Sequence, residues 1–183
     1  MEELMGFCKN GGKLHVHPCK NAVPGIETST GSLGHGLSVA AGMAVALRGS
    51  GQRMYVVIGD GECNEGTVWE AASFIGARKL SNVTVMIDVN HFQGFGTTEE
   101  IIPMDLAAQW AACGWEVLHV NGHDHAAIET ALRQTSNTGK PIAILADTVA
   151  GKGIPEIENT LLAHYVVLND AQYQQLMTTI YAE

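Results

Sequence analysis

Asp60 and Asn90 stand 30 residues apart, each at or beyond the end of a short apolar run. The first sits in Ile58-Gly59-Asp60-Gly61-Glu62-Cys63-Asn64-Glu65-Gly66-Thr67, the second in Asp88-Val89-Asn90-His91-Phe92. A carboxylate and an amide oxygen are hard donors of the kind that Mg2+ or Ca2+ selects. A Gly-Asp-Gly triplet alone marks a turn. The spaced Asn adds a second hard oxygen donor after a second predicted strand, with Glu65-Gly66 and Trp69-Glu70-Ala71 following the triplet. Cys8, His15, His17 and Cys19 lie within 12 residues and form a second candidate, for zinc, although their spacing matches no common zinc pattern. Asp124, just ahead of His125, reads as a helix N-cap in preference to a catalytic acid. Lys152, between two glycines, reads as a solvated loop cation in preference to a phosphate ligand. Trp69 and Trp115 read as core residues.

The elements that must position these groups follow from periodicity. Residues 54–58, 83–88, 116–120 and 142–147 are short apolar runs rich in β-branched side chains and read as strands. Helical spacing occupies 36–48, 67–80, 105–113, 125–134 and 170–181. Strands apolar on both faces, alternating with helices, predict an α/β fold: a parallel sheet with helices on both faces. In such sheets ligands bind at the carboxyl ends of the strands, where Gly59-Asp60-Gly61, Asp88-Val89-Asn90 and the stretch 148–153 are expected to meet.

The 183 residues are room for one domain with a full core and not comfortably for two. Residues 1–183 are therefore read as a single domain, with 1–30 as a leading loop, 31–150 as the core, and 151–183 as a substrate-side loop and final helix. At 46% hydrophobic and 16% charged residues, the chain is not disordered. A net charge of −9 opposes sequence-independent binding to nucleic acid or to an anionic membrane. The chain starts without a basic, then apolar, leader and has no bilayer-length apolar run, so a cytoplasmic location is expected. Its four cysteines show no C-x-x-C pairing and are read as reduced thiols.

The Asp60 to Asn90 pattern resembles the diphosphate and metal motif of thiamine diphosphate enzymes. The resemblance implies Asp60, Asn90 and the Phe92 carbonyl as ligands of Mg2+ or Ca2+, a set that leaves coordination positions for two phosphate oxygens. It also implies close approach of Gly61 to the diphosphate, with the N-terminus of the helix opening near Thr67 facing that anion. Within these enzymes the chain is similar to the diphosphate-binding domain of transketolases over most of its length. The further carriers are His17-Pro18, Val23 to Gly36, Gly114-Trp115-Glu116-Val117, Asn121-Gly122-His123-Asp124 and Thr148-Val149-Ala150-Gly151-Lys152-Gly153, while Glu65-Gly66 with Trp69-Glu70-Ala71 favours transketolase over deoxyxylulose-phosphate synthase. By this resemblance Gly31 and Leu33 line the cofactor's rings, Glu65 and His164 join the cofactor site, and His17 and His164 face the substrate as catalytic residues.

The departures from the family pattern are local. Val16-His17-Pro18 stands for Gly-His-Pro, Ala163-His164-Tyr165 for Trp-His-Gly, Ala150 for a frequent Lys, and Phe95 for a frequent Asp. The altered edges make a phosphorylated sugar a less secure substrate. The chain also starts where the family has already spent roughly 60 to 90 residues, so an abbreviated subunit or a trimmed chain is expected. A second, pyrimidine-binding domain carries the family's cofactor-activating Glu and has no counterpart here. The resemblance therefore implies a split enzyme, inactive alone, that moves a two-carbon ketol unit from a ketose to an aldose. Its C-terminal, pyrimidine-binding partner subunit would complete the site in a hetero-oligomer with two-fold symmetry, most simply two copies of each chain. The competing expectations are a non-catalytic scaffold that keeps the fold, and a thiamine diphosphate enzyme acting on a keto acid or a modified sugar.

Overall fold

The computed structural model describes residues 6–180 of the protein. Strand β1 (Met54–Gly59) and strand β2 (Val83–Val89) are followed by a small antiparallel hairpin, β3 (Phe92–Gln93) and β4 (Gly96–Thr97), then by β5 (Glu116–Asn121) and β6 (Ile142–Asp147). The helices are α1 (His35–Ala46), α2 (Gly66–Ala77), α3 (Thr98–Ile101), α4 (Leu106–Ala112), α5 (His125–Arg133) and α6 (Asp170–Ile180). Four strands form an all-parallel sheet in the order β1-β2-β6-β5. The expected α/β architecture is thus present, with helices on both faces.

One face carries the larger core. Leu37, Ala41 and Ala44 of α1, Val68, Ala72 and Ile75 of α2, and Trp110 of α4 pack on Val83, Val85, Ile87, Ala143 and Leu145. Ala131 of α5 covers Ile142 and Ile144 on the other face, with Met86, Leu118 and Leu132 around them. Trp110 is fully buried between Trp69 and Trp115, its ring centroid 5.4 Å from the first and 4.9 Å from the second. Each such pair adds about 0.5–1.5 kcal/mol beyond its buried area. The outer two indoles donate to the Cys63 and Ala72 carbonyls at 2.7 and 2.9 Å, which braces α2 and the turn beyond β1 from behind.

Helix ends follow local chemistry. Asp124 accepts from Ala126 N and Ala127 N, as its N-cap reading required, and Asp105 caps α4 in the same way. Helix α2 stops at Ala77, three residues before the expected end. Lys79 adopts φ 49°, and the bonds Lys79 N to Gly76 O and Leu80 N to Ile75 O close a Schellman motif there. The expected helix 170–181 is observed to Ile180; Tyr181 lies outside the described residues. The hairpin β3–β4, helix α3 with its Thr97–Glu100 capping box, and 3-10 turns at Gly61–Asn64 and Leu161–His164 were not expected.

Candidate functional site

Because β1, β2 and β6 are neighbours, the loops at their carboxyl ends lie side by side, and backbone bonds continue past the strands to join them. Asp60 N donates to Asp88 O and Thr148 N to Val89 O, both at 3.0 Å. Asp60 is only 3% exposed, and its two oxygens accept from Gly61 N at 2.8 Å and His91 N at 2.7 Å. Burial pushes its carboxyl above the ordinary value, opposed by the two N–H groups and by His91, with the Asp88 carboxylate adding to the rise. A carboxylate has about four acceptor sites, so two N–H partners leave room for a cation.

Asn90 and Phe92 are held beside it. Asn90 Oδ1 accepts from Phe92 N at 2.9 Å, while its Nδ2 donates to Asp88 Oδ2 at 3.1 Å. The other oxygen of Asp88 accepts from the Thr148 hydroxyl. An ionised carboxylate only accepts, so Asp88 selects the amide end of Asn90 that faces it and thereby aims Oδ1 toward the hairpin. Gly61 lies under that hairpin: a Cβ placed on it would come within 2.7 Å of the Gln93 Cβ. Asn64 Nδ2 reaches Gln93 Oε1 at 3.3 Å, and three buried polar atoms around this loop, Asn64 Oδ1, Gln93 Nε2 and Thr67 Oγ1, have no hydrogen-bond partner among the described residues.

The segment ahead of α1 joins the same loop. Gly34 caps α1 at φ 78°, and its N–H donates to Glu62 Oε1 at 2.8 Å. A side chain there is disfavoured by the left-handed backbone and would also strike Thr67 Oγ1 at 2.1 Å. Gly31 lies against His17, whose Cγ would be 2.8 Å from a Cβ at that position. Leu33 is 55% exposed, and Glu65, at the N-cap position of α2, is exposed without a capping bond.

His164 lines a cavity of about 450 Å³ with Asp88, Asn90, His123, Thr148 and Gly151. His123 Nε2 accepts from Val149 N at 2.8 Å and holds the loop that forms one wall. His17 does not line that cavity and lies instead against Gly31. Lys152 pairs with Glu158 at 3.0 Å. Among the described residues no three His, Cys, Asp or Glu side chains group to hold a metal, the Cys8 to Cys19 stretch included. Asp88, Thr148, Glu62 and His123 are the site residues whose roles sequence reasoning missed. Asp88 carried a local signal, a charged side chain closing an apolar strand two positions before Asn90.

The parallel sheet thus carries a buried carboxylate, a fixed amide and a glycine-backed loop at its strand ends. The family described as "Transketolase, thiamine diphosphate binding domain" matches residues 1–181, and the chain belongs to it. It is 41% identical to an apulose-4-phosphate transketolase subunit from Actinobacillus succinogenes over 90% of this chain and 60% of that protein. It is 37% identical to a 6-deoxy-6-sulfo-D-fructose transketolase subunit from a Clostridium strain over 100% of this chain and 68% of that one. The chain thus spans about two thirds of the length of these relatives. Among solved structures, a transketolase variant from Pichia stipitis superposes with a TM-score of 0.87 at 30% identity, over 97% of this chain and 28% of that one. Transketolase from Campylobacter jejuni gives 0.82 at 32% identity, over 88% and 27%.

Proposed function

We propose that this chain is the diphosphate- and metal-binding subunit of a transketolase-like enzyme that transfers a two-carbon ketol unit from a ketose to an aldose. The observation that carries the reading is the junction of Asp60, Asn90 and Phe92 through main-chain and side-chain bonds at adjacent strand ends. The buried Asp60 and the unpartnered polar atoms beside Gly61 fit a metal diphosphate. Asp60, Asn90 and the Phe92 carbonyl would hold Mg2+ or Ca2+, with Gly61 against the diphosphate and Gly31, Leu33 and Glu65 toward the rest of the cofactor. Thiamine diphosphate, when bound, supplies the electron sink for cleaving the ketose. The chain's own part is to orient that group, to exclude water with the hairpin and the 148–153 loop, and to offer His17 and His164 for hydroxyl protons.

In this reading residues 1–183 act as one binding unit in the cytoplasm, and no described helix is long and apolar enough to cross a membrane. Activity requires a pyrimidine-domain partner, most simply in a two-fold symmetric complex. Two relatives carry the word subunit in their names, which supports a split assembly. The named substrates of those relatives, one phosphorylated and one sulfonated, keep a modified sugar in view as donor. Among the described residues no Lys or Arg lines the cavity around His164. The test is calorimetric titration of thiamine diphosphate with and without Mg2+: Asp60→Ala and Asn90→Ala should each abolish the Mg2+-dependent binding. Undiminished binding in both variants would remove the metal assignment.

A further inference from the structure

His164 belongs to a stretch of chain with little regular structure, yet a group meant to act on a bound ligand must be held to about half an ångström. The near end of that stretch is fixed to itself: Asn159 N donates to Ala150 O at 2.7 Å and Lys152 pairs with Glu158. At the far end Tyr165 N and Val166 N return to Leu162 O at 2.9 and 2.8 Å, closing the turn that carries His164. That turn is bonded to another part of the fold through the Tyr165 hydroxyl, which donates to the Gly94 carbonyl. Gly94 sits at the tip of the β3–β4 hairpin and offers the phenol close access, since a Cβ on it would stand 3.1 Å from the hydroxyl oxygen.

The same hairpin is anchored at its other end to the proposed metal site, through His91 N on Asp60 and Gln93 on Asn64. Bonds therefore run from Asp60 through His91, the hairpin and Gly94 to Tyr165 and His164. We propose that Tyr165 is a positioning residue that couples occupancy of the Asp60–Asn90–Phe92 site to the placement of His164. The inference rests on the reading of that site as a metal diphosphate site. When the site fills, the hairpin is held against the Gly61 loop, and the phenol transmits that restraint to the histidine's turn. Without the hydroxyl the hairpin still responds, and the response of the turn weakens.

Hydrogen exchange on the full chain, with Mg2+ and inorganic diphosphate as the probe, tests this. In the wild-type chain the probe should slow exchange in both 91–97 and 161–166. In Tyr165→Phe, which keeps the ring and loses the donor, 91–97 should be protected as before while the added protection of 161–166 falls about fivefold, the effect of one hydrogen bond on an opening equilibrium. A purely structural role would raise exchange at 161–166 equally with and without the probe. Equal ligand-induced protection of 161–166 in the two proteins overturns the coupling and leaves the site reading intact. No protection of either segment in the wild-type chain overturns the site reading, and the coupling with it.

Discussion

Gly61→Ala separates the close approach of two segments from backbone freedom. Gly61 opens a 3-10 turn and is not in the left-handed region, so alanine suits its backbone and would by itself gain up to about 1 kcal/mol. The obstacle is Gln93, whose Cβ would lie 2.7 Å away, with its Cα at 3.6 Å. Restoring an ordinary contact of 3.4 Å requires the hairpin to retreat by about 0.7 Å, and overpacking of this kind costs about 1–3 kcal/mol. A net loss of about 1–2 kcal/mol is expected in urea denaturation. In a Gln93→Gly background the offending atom is gone and the loss should vanish, giving a coupling energy of at least about 1 kcal/mol. Because Phe92 precedes Gln93, the displaced hairpin should also weaken Mg2+-dependent thiamine diphosphate binding about tenfold or more. The same Gly61→Ala penalty in both backgrounds would refute the argument, since the hairpin would then not be what excludes a side chain.

Four further outcomes are expected. The raised pKa of Asp60 means that the folded chain retains a proton that the unfolded chain has released, so this group's stabilising share is full below its ordinary value of 3.8 and declines as pH rises through the higher folded value. Asp60→Asn should therefore gain stability relative to wild type as pH rises above 3.8 in metal-free urea titrations, and a difference that stays constant with pH would contradict the assignment. Asp88→Ala, which releases the Asn90 amide, should lower Mg2+-dependent cofactor affinity about 10–100-fold in calorimetry while the far-ultraviolet circular dichroism stays unchanged. Trp110→Ala should cost about 3–5 kcal/mol in denaturation, because it opens a void between two packed indoles. In sedimentation with a pyrimidine-domain partner, Mg2+ and thiamine diphosphate should tighten the complex, and two chains that stay separate under every condition would argue for the scaffold reading.

What could be read in the sequence depended on how local the cause was. The four long strands were legible as short apolar runs; Ile142 to Ala146 is unbroken and Val83 to Ile87 is interrupted by the buried Thr84 alone, as strands covered on both faces allow. Asp60 and Asn90 were legible because each follows such a run within a short motif. The hairpin was not, since strands of two residues offer no period to count and its tip residue, Phe95, is 94% exposed and looks like nothing in particular. The early end of α2 was hidden by a Lys at the position where glycine usually serves as the signal. The groups that orient the site were illegible for another reason. Asp88 finds Thr148 across 60 residues and Glu62 finds Gly34 across 28, and no window of sequence holds both partners.

The placement of the site on adjacent parallel strands has a consequence for how the protein can fail. Asp60 lies beside the Asp88–Asn90 stretch because Gly59 is in register with Asp88, and Thr148 bonds Asp88 and Val89 because Val89 is in register with Asp147. Register is a whole-number quantity. A single-residue slip would move every side chain of a strand to the opposite face of the sheet, and the next permitted step is two residues, about 6.6 Å along the strand. Damage to the core therefore cannot detune these groups by small increments. A weakened core should instead yield a mixture of molecules with the complete site and molecules with none, so that binding capacity declines while the affinity of the remaining sites holds.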